Sequence, residues 1–238
     1  MDNDFWLQRW QDQQTPWHLQ HPHVLLETAL DKLGDPGGTA LVPLCGKSQD
    51  MVVLAARGYA VLGVELAEPA VAAFYREQGM RPEIQQQGAM RRWQAGLWTI
   101  FQGDFFLLSA NACQDVGLIW DRAALSALDA SLRQRYAQHL SYLAPAEAVM
   151  ALVTFEHLVG DEGPPFSVSP EEVTALFGQR FAIETFAHRE ASAELPHLTQ
   201  RIGRIFERGY LLRPLGSGHH HAAQDSATAV TPDGRGGA

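Results

Sequence analysis

Lysine is almost absent from this chain: Lys32 and Lys47 stand against 16 arginines in 238 residues, and the formal net charge is −9. A nucleic-acid or acidic-membrane surface needs a clustered cationic face, and this composition offers none. Cysteine is nearly as scarce. Cys45 and Cys113 lie far apart, with no apolar signal segment ahead of them, so reduced thiols in a cytoplasmic protein are expected rather than a secreted disulfide scaffold. Apolar runs of about 18 residues are also missing, which excludes an ordinary membrane-spanning helix. Two phosphate-binding signatures fail as well. Gly46-Lys47-Ser48 suggests a phosphate loop, yet that motif needs a glycine where Leu41 stands. A dinucleotide fingerprint needs three spaced glycines after the first strand, and only Gly46 is present.

What remains is an ordinary globular composition, 46% hydrophobic, long enough for one α/β domain with a well-buried core. Residues 42–65 run from an apolar strand through a tight loop (Val42-Pro43-Leu44-Cys45-Gly46-Lys47-Ser48) and a helix to a second strand ending on Glu65. An acid about 20 residues past the first loop of such a unit is spaced to take the two hydroxyls of a ribose. Without a phosphate cradle, the nucleoside cofactor that suits this loop is S-adenosylmethionine. No metal is implied.

Periodicity and breakers give strands at 39–42, 60–64, 98–102, 116–120 and 148–155, with 181–188 and 205–212 as an antiparallel pair at the sheet edge. Helices are expected at 22–33 with Pro22 in the first turn, and at 50–57, 69–78, 132–143 and 170–177. The strands at 98–102 and 116–120 lead into Gly103-Asp104-Phe105-Phe106 and Asp121-Arg122, placing charged groups at exposed strand tips. Three of the six tryptophans, Trp6, Trp10 and Trp17, crowd into the first 17 residues, where residues 1–35 are read as a lid. Residues 1–215 form the single domain. From 216 the chain loses apolar periodicity and is expected to be disordered, His219, His220 and His221 included.

The loop at 42–48, Gly63-Val64-Glu65-Leu66, Gly103-Asp104-Phe105-Phe106, Asp121-Arg122-Ala123-Ala124-Leu125 and Gly163-Pro164-Pro165-Phe166 together resemble the thiopurine S-methyltransferase family, its bacterial branch in particular. So do Phe5-Trp6 with Arg9-Trp10, Trp17-His18, and Glu207-Arg208 with Tyr210. The resemblance implies a Rossmann-like, seven-stranded, mostly parallel sheet with helices on both faces, the class I S-adenosylmethionine-dependent methyltransferase fold. It implies S-adenosylmethionine as cofactor and an aromatic or heterocyclic thiol as the small-molecule acceptor, with selenium and tellurium species methylated by bacterial relatives. It places cofactor contacts on Trp10, Leu44, Glu65 and Arg122, with Asp104 at the adenine end. The chain departs from the family pattern at Trp17, at His157 and around Ile202, all on the acceptor side. A monomer is expected.

Each residue also has a plainer reading. Trp6 and Trp10 share a helical face, and packing suffices for Trp6; Trp10 is read as a cover for the sulfonium. His18 is read as a satisfied structural histidine, Cys45 as a small hydrophobe rather than a nucleophile, Lys47 as solvated and Phe166 as a stacking wall. Arg122 beside Asp121 reads either as an ion pair or as a ligand-facing guanidinium that stabilises a thiolate. No dedicated catalytic base is expected. Two rivals stay open: a nicotinamide-dependent oxidoreductase, and a silent nucleoside-binding protein.

Overall fold

The computed structural model describes residues 3–34, 36–158 and 163–216; the expectations for 216–238, including His219 to His221, fall almost wholly outside them. In chain order the elements are α1 (Asn3–Gln11), α2 (Val24–Leu33), β1 (Thr39–Val42), α3 (Asp50–Ala56), β2 (Ala60–Glu65), α4 (Glu68–Glu77), β3 (Glu83–Gln87), β4 (Met90–Ala95), β5 (Trp98–Gln102), β6 (Val116–Arg122), α5 (Ala130–Leu143), β7 (Val149–Glu156), α6 (Pro170–Phe177), β8 (Phe181–Glu190), α7 (Pro196–Ile202) and β9 (Phe206–Pro214). They build one nine-stranded sheet in the order β3-β4-β5-β2-β1-β6-β7-β9-β8. The five central strands are parallel, and the pairs flanking them on each side are antiparallel.

All seven strands read from the sequence are present, and the edge pair is β8 with β9, as expected. The two additional strands, β3 and β4, form a hairpin that extends the opposite edge. Their sequences hide them: β3 is Glu-Ile-Gln-Gln-Gln with every residue exposed, and β4 buries only Met90 and Trp93, three apart. Neither shows the alternation that marks a half-buried strand. Helix α7 is likewise too short for a period to stand out.

Two apolar layers sandwich the sheet. On one face, Leu26, Ala29 and Leu30 of α2, Met51 and Leu54 of α3, and Val71 and Phe74 of α4 pack on Ala40, Val61, Leu118 and Ala151. On the other, Tyr136, Ala137 and Leu140 of α5 with Val173 and Phe177 of α6 pack on Leu41, Leu62, Ile119 and Leu152. Thus α2 is a core helix, while α1 buries none of its residues and lies outside both layers. The start of α2 also shifts inward from the expected first-turn Pro22. His23 is the N-cap, its Nδ1 accepting from the Leu25 amide at 3.3 Å, and Pro22 precedes the cap.

Between β1 and β6 the winding reverses, so the loops after these strands diverge and leave a crevice at their carboxyl ends. A buried polar network braces that crevice from below. Asp50 at the start of α3 accepts the His23 amide at 2.7 Å and the Trp120 indole N–H at 2.8 Å. His23 Nε2 meets Glu207 Oε1 at 3.0 Å, and the other Glu207 oxygen accepts from Arg189 at 2.7 Å. Removing one donor from such a network strands a buried charge. Trp120→Phe is therefore expected to cost about 1–3 kcal/mol, seen in urea unfolding as a lower midpoint at unchanged slope.

Candidate active site

The crevice opens into a cavity of about 390 Å³, within the range of ordinary ligand pockets. Its floor is the loop after β1. Leu44 and Gly46 both hold positive φ, 47° and 53°, which curls the loop tightly over the strand ends. At Gly46 a side chain is excluded twice over: by that φ, and because a Cβ would sit 3.0 Å from the Trp10 ring, which rests on the glycine. Trp10 thereby covers the loop, and its indole stands edge-on to Trp17, which meets Trp6 in the same way. These three tryptophans of the N-terminal segment form one wall.

Glu65 ends β2 and is buried. Its Oε2 accepts the Gly46 amide at 2.8 Å, and its Oε1 accepts the Ala67 amide at 2.7 Å. A carboxylate has about four lone-pair sites, so each oxygen retains one for a ligand hydroxyl. Burial pushes the Glu65 carboxyl up to about 6, while the Ala67 and Gly46 amides pull the other way. Asp104 follows β5 and caps a short 3-10 turn, its Oδ1 accepting the Phe106 amide at 3.0 Å. It lines the same cavity.

Arg122 ends β6, half-buried. One Nη donates to the Trp17 carbonyl at 3.1 Å, and the guanidinium lies 5.9 Å from the Phe155 ring centre. Its Nε is buried and meets no partner among the described residues. Burial lowers the Arg122 pKa from its usual value, with Asp50 and Glu207 acting in the opposite sense. The alternative reading of Arg122, an ion pair with Asp121, is not met, and Asp121 is not exposed at a strand tip as expected. It is fully buried, taking the Tyr136 hydroxyl at 2.7 Å and the Leu125 amide at 3.2 Å, because within β6 its side chain faces α5. Burial pushes it up to about 6, against those two hydrogen bonds.

The five residues expected at the cofactor, Trp10, Leu44, Glu65, Asp104 and Arg122, all line this one cavity. Other expectations change. Lys47 is not free in solvent but pairs with Glu77 at 2.6 Å, tying the loop to α4. Phe166 packs against Gly163, and Pro164 and Pro165 line the cavity in its place. His157 lies outside the lining, its Nε2 on the Pro165 carbonyl at 3.0 Å, and Ile202 is buried in a small cluster with Leu198 and Phe155. Cys45 is buried with its thiol pushed well up by burial and by Glu65, which leaves it unreactive. His18 is not satisfied: its Nε2 is buried in the lining and unpartnered among the described residues. A lone histidine in a loop carries no spacing signal. Among the described residues there is no cluster of His, Cys, Asp or Glu able to hold a metal ion, and no helix is long and apolar enough to cross a membrane.

Without the β3–β4 hairpin the sheet order is that of a nucleoside-binding fold, and the crevice offers a buried strand-end carboxylate, Glu65, but no phosphate cradle. Fold and site together define a class I S-adenosylmethionine-dependent methyltransferase. Solved structures agree on the fold: the Burkholderia thailandensis 1,6-didemethyltoxoflavin-N1-methyltransferase, bound to its substrate and S-adenosylhomocysteine, superimposes with a TM-score of 0.59 at 14% identity, covering 89% of this chain and 86% of that one. An Anabaena variabilis S-adenosylmethionine-dependent methyltransferase gives 0.59 at 13% identity, covering 90% and 95%. The chain belongs to the thiopurine S-methyltransferase family, whose model matches residues 1–214. It is 42% identical over 215 residues to the thiopurine S-methyltransferase of Pseudomonas aeruginosa (strain UCBPP-PA14), covering 89% of this chain and 99% of the relative. Against that of Xanthomonas campestris pv. campestris (strain 8004) the identity is 41% over 198 residues, covering 82% and 91%. Family membership sets aside the nicotinamide-dependent alternative.

The Glu65 geometry sets a pH dependence. With Glu65 as the ribose acid, hydroxyl donors meet its ionised carboxylate, and affinity for S-adenosylhomocysteine is expected to be full above about pH 6 and to fall below it, by at most about tenfold per unit. Glu65→Gln is expected to weaken binding about 10- to 100-fold, as for loss of hydrogen bonds to a charged group worth ~1.5–3 kcal/mol, and to flatten that acid-side fall. Calorimetric titration from pH 5 to 8 reads both.

Proposed function

We propose that this chain transfers the methyl group of S-adenosylmethionine to the sulfur of an aromatic or heterocyclic thiol, with the cofactor held by Trp10, Leu44, Glu65, Asp104 and Arg122. The single observation that carries the assignment is Glu65: a buried strand-end carboxylate, tied by Gly46 and Ala67 amides, with lone pairs left over in a cavity free of phosphate-binding glycines. Glu65 takes the ribose hydroxyls. Asp104 lies at the adenine end, Leu44 and the Gly46 backbone line the floor, and the Trp10 face covers the site and excludes water. When bound, S-adenosylmethionine supplies an electrophilic methyl on a positively charged sulfur.

The protein's own task is alignment. An ionised thiol is already a strong nucleophile near neutral pH, so the cavity has only to orient it, remove water and favour its charge. The half-buried Arg122 guanidinium favours the thiolate, and the wall of Pro164, Pro165, Trp17 and Phe155 gives a planar acceptor apolar surface. For a pre-ionised acceptor no dedicated base is needed. The segment around α1, which buries no residue of its own, acts as the lid. Selenium and tellurium species are further acceptors, as soft nucleophiles of the same kind.

Two measurements test this reading. Labelled-methyl transfer is expected to 6-mercaptopurine and to an aromatic thiol, with selenite and tellurite as competing acceptors, and to fall sharply in Glu65→Ala. Cofactor binding without transfer to any thiol would instead indicate a silent binding protein. Arg122→Ala is expected to raise the apparent pKa for turnover by about one unit or more; an unchanged pH profile removes Arg122 from thiolate stabilisation.

A further inference from the structure

Of the buried side-chain nitrogens and oxygens that lack a hydrogen-bond partner among the described residues, only two line the cavity: Arg122 Nε and His18 Nε2. Arg122 donates to the Trp17 carbonyl at 3.1 Å, and the next residue is His18, whose own amide is tied back to the Thr15 carbonyl at 3.0 Å. The guanidinium thus anchors the loop that carries the imidazole. Leaving a polar atom buried and unpaired is costly, and a ligand group of matching polarity removes that cost. The two atoms differ in kind: Arg122 Nε–H only donates, whereas His18 Nε2 accepts when the ring hydrogen is on Nδ1.

An unpaired donor and an unpaired acceptor lining one cavity, on residues linked through the Trp17 carbonyl, suit one chemical edge. A heterocyclic thiol exists largely as its thione tautomer, with a carbon–sulfur double bond next to a ring N–H. Its sulfur becomes nucleophilic only when that nitrogen gives up its proton. We propose that His18 is a catalytic residue that accepts the ring-nitrogen proton of thione acceptors, while Arg122 holds the sulfur. This rests on the thiol-methylation reading above and narrows the acceptor to heterocycles bearing an H–N–C=S edge. The balance is simple: the ring N–H bond breaks and its proton moves to His18 Nε2, and the electron pair passes through the ring to sulfur. The sulfur–methyl bond forms as the methyl–sulfonium bond breaks, its electrons staying on the departing thioether. The imidazolium then returns its proton to solvent.

The surroundings favour that return. His18 faces Lys47 on the loop after β1, Glu77 on α4 and Arg122 on β6; burial and the two cations hold it below its ordinary value, and Glu77 acts in the opposite sense. The imidazole is therefore neutral and able to accept at neutral pH, and the charged form is short-lived.

The test compares two acceptors on the native enzyme, His18→Gln and His18→Asn. With 6-mercaptopurine, a thione, kcat is expected to fall about 100-fold or more in both variants. Binding of 6-mercaptopurine to the S-adenosylhomocysteine complex, read by calorimetry, is expected to change less than about threefold, since either amide can accept the same hydrogen bond. With 4-nitrothiophenol, which is already ionised near neutrality, turnover is expected to stay within about threefold of native. With cofactor saturating at every pH, so that Glu65 does not limit binding, the acid limb of kcat for 6-mercaptopurine should also disappear in His18→Gln. Equal losses on both acceptors, an unchanged kcat for 6-mercaptopurine, or a loss of binding that accounts for the loss of turnover each overturns the proposal. Failure of the native enzyme to methylate either acceptor overturns the underlying reading instead.

Discussion

The cavity exists because a buried carboxylate joins two loops that otherwise have no reason to meet. Glu65 receives the Gly46 amide from the loop after β1 and the Ala67 amide from the loop after β2, so adjacent strands end at one fixed point. The Lys47–Glu77 pair and the Cys45 amide on the Val64 carbonyl hold the same junction. Around it the backbone takes conformations that a free chain rarely adopts, at Leu44 and Gly46, and the Trp10 ring rests where a side chain on Gly46 would stand. A charge kept out of water at this cost of burial is most useful where a ligand completes its solvation.

On the acceptor side the organising group is Arg122. It reaches from the end of β6 to the Trp17 carbonyl, and so fastens a segment that contributes no buried residue through α1. The three tryptophan rings then pack on one another rather than into the core. The sheet supplies the rigid half of the site, and the N-terminal segment supplies a half held by aromatic edges and one guanidinium. That division suits an enzyme whose chemistry depends on excluding water around a charged sulfur.

Much of this was legible in the sequence wherever spacing carries geometry. The interval from the loop at 42–48 to Glu65 brings that acid to the cavity, and the buried run at 148–155 marks a central strand because it has no polar face. Where the structure depends on side chains distant in sequence, the pattern is silent. His23 and Glu207 are 184 residues apart and pair only because α2 crosses β9. Asp121 looks exposed at a strand tip, yet Tyr136 reaches it from α5. The β3–β4 hairpin escapes because glutamine and arginine on an exposed ribbon leave no alternation to read. His18 reads as an ordinary loop histidine until the cavity shows that its ring nitrogen has nothing to bond.

The near-absence of lysine has a practical consequence once the two lysines are placed. Lys47 is half-buried and engaged with Glu77, whereas Lys32 stands exposed in the last turn of α2, at the opposite end of that helix from His23 and the polar network. Apart from the amino terminus, amine-directed reagents therefore meet essentially one accessible side chain, remote from the crevice. Arginine carries nearly all the remaining positive charge and does not acylate under such conditions. The fold thus provides a natural single-point handle for tethering or fluorescent labelling.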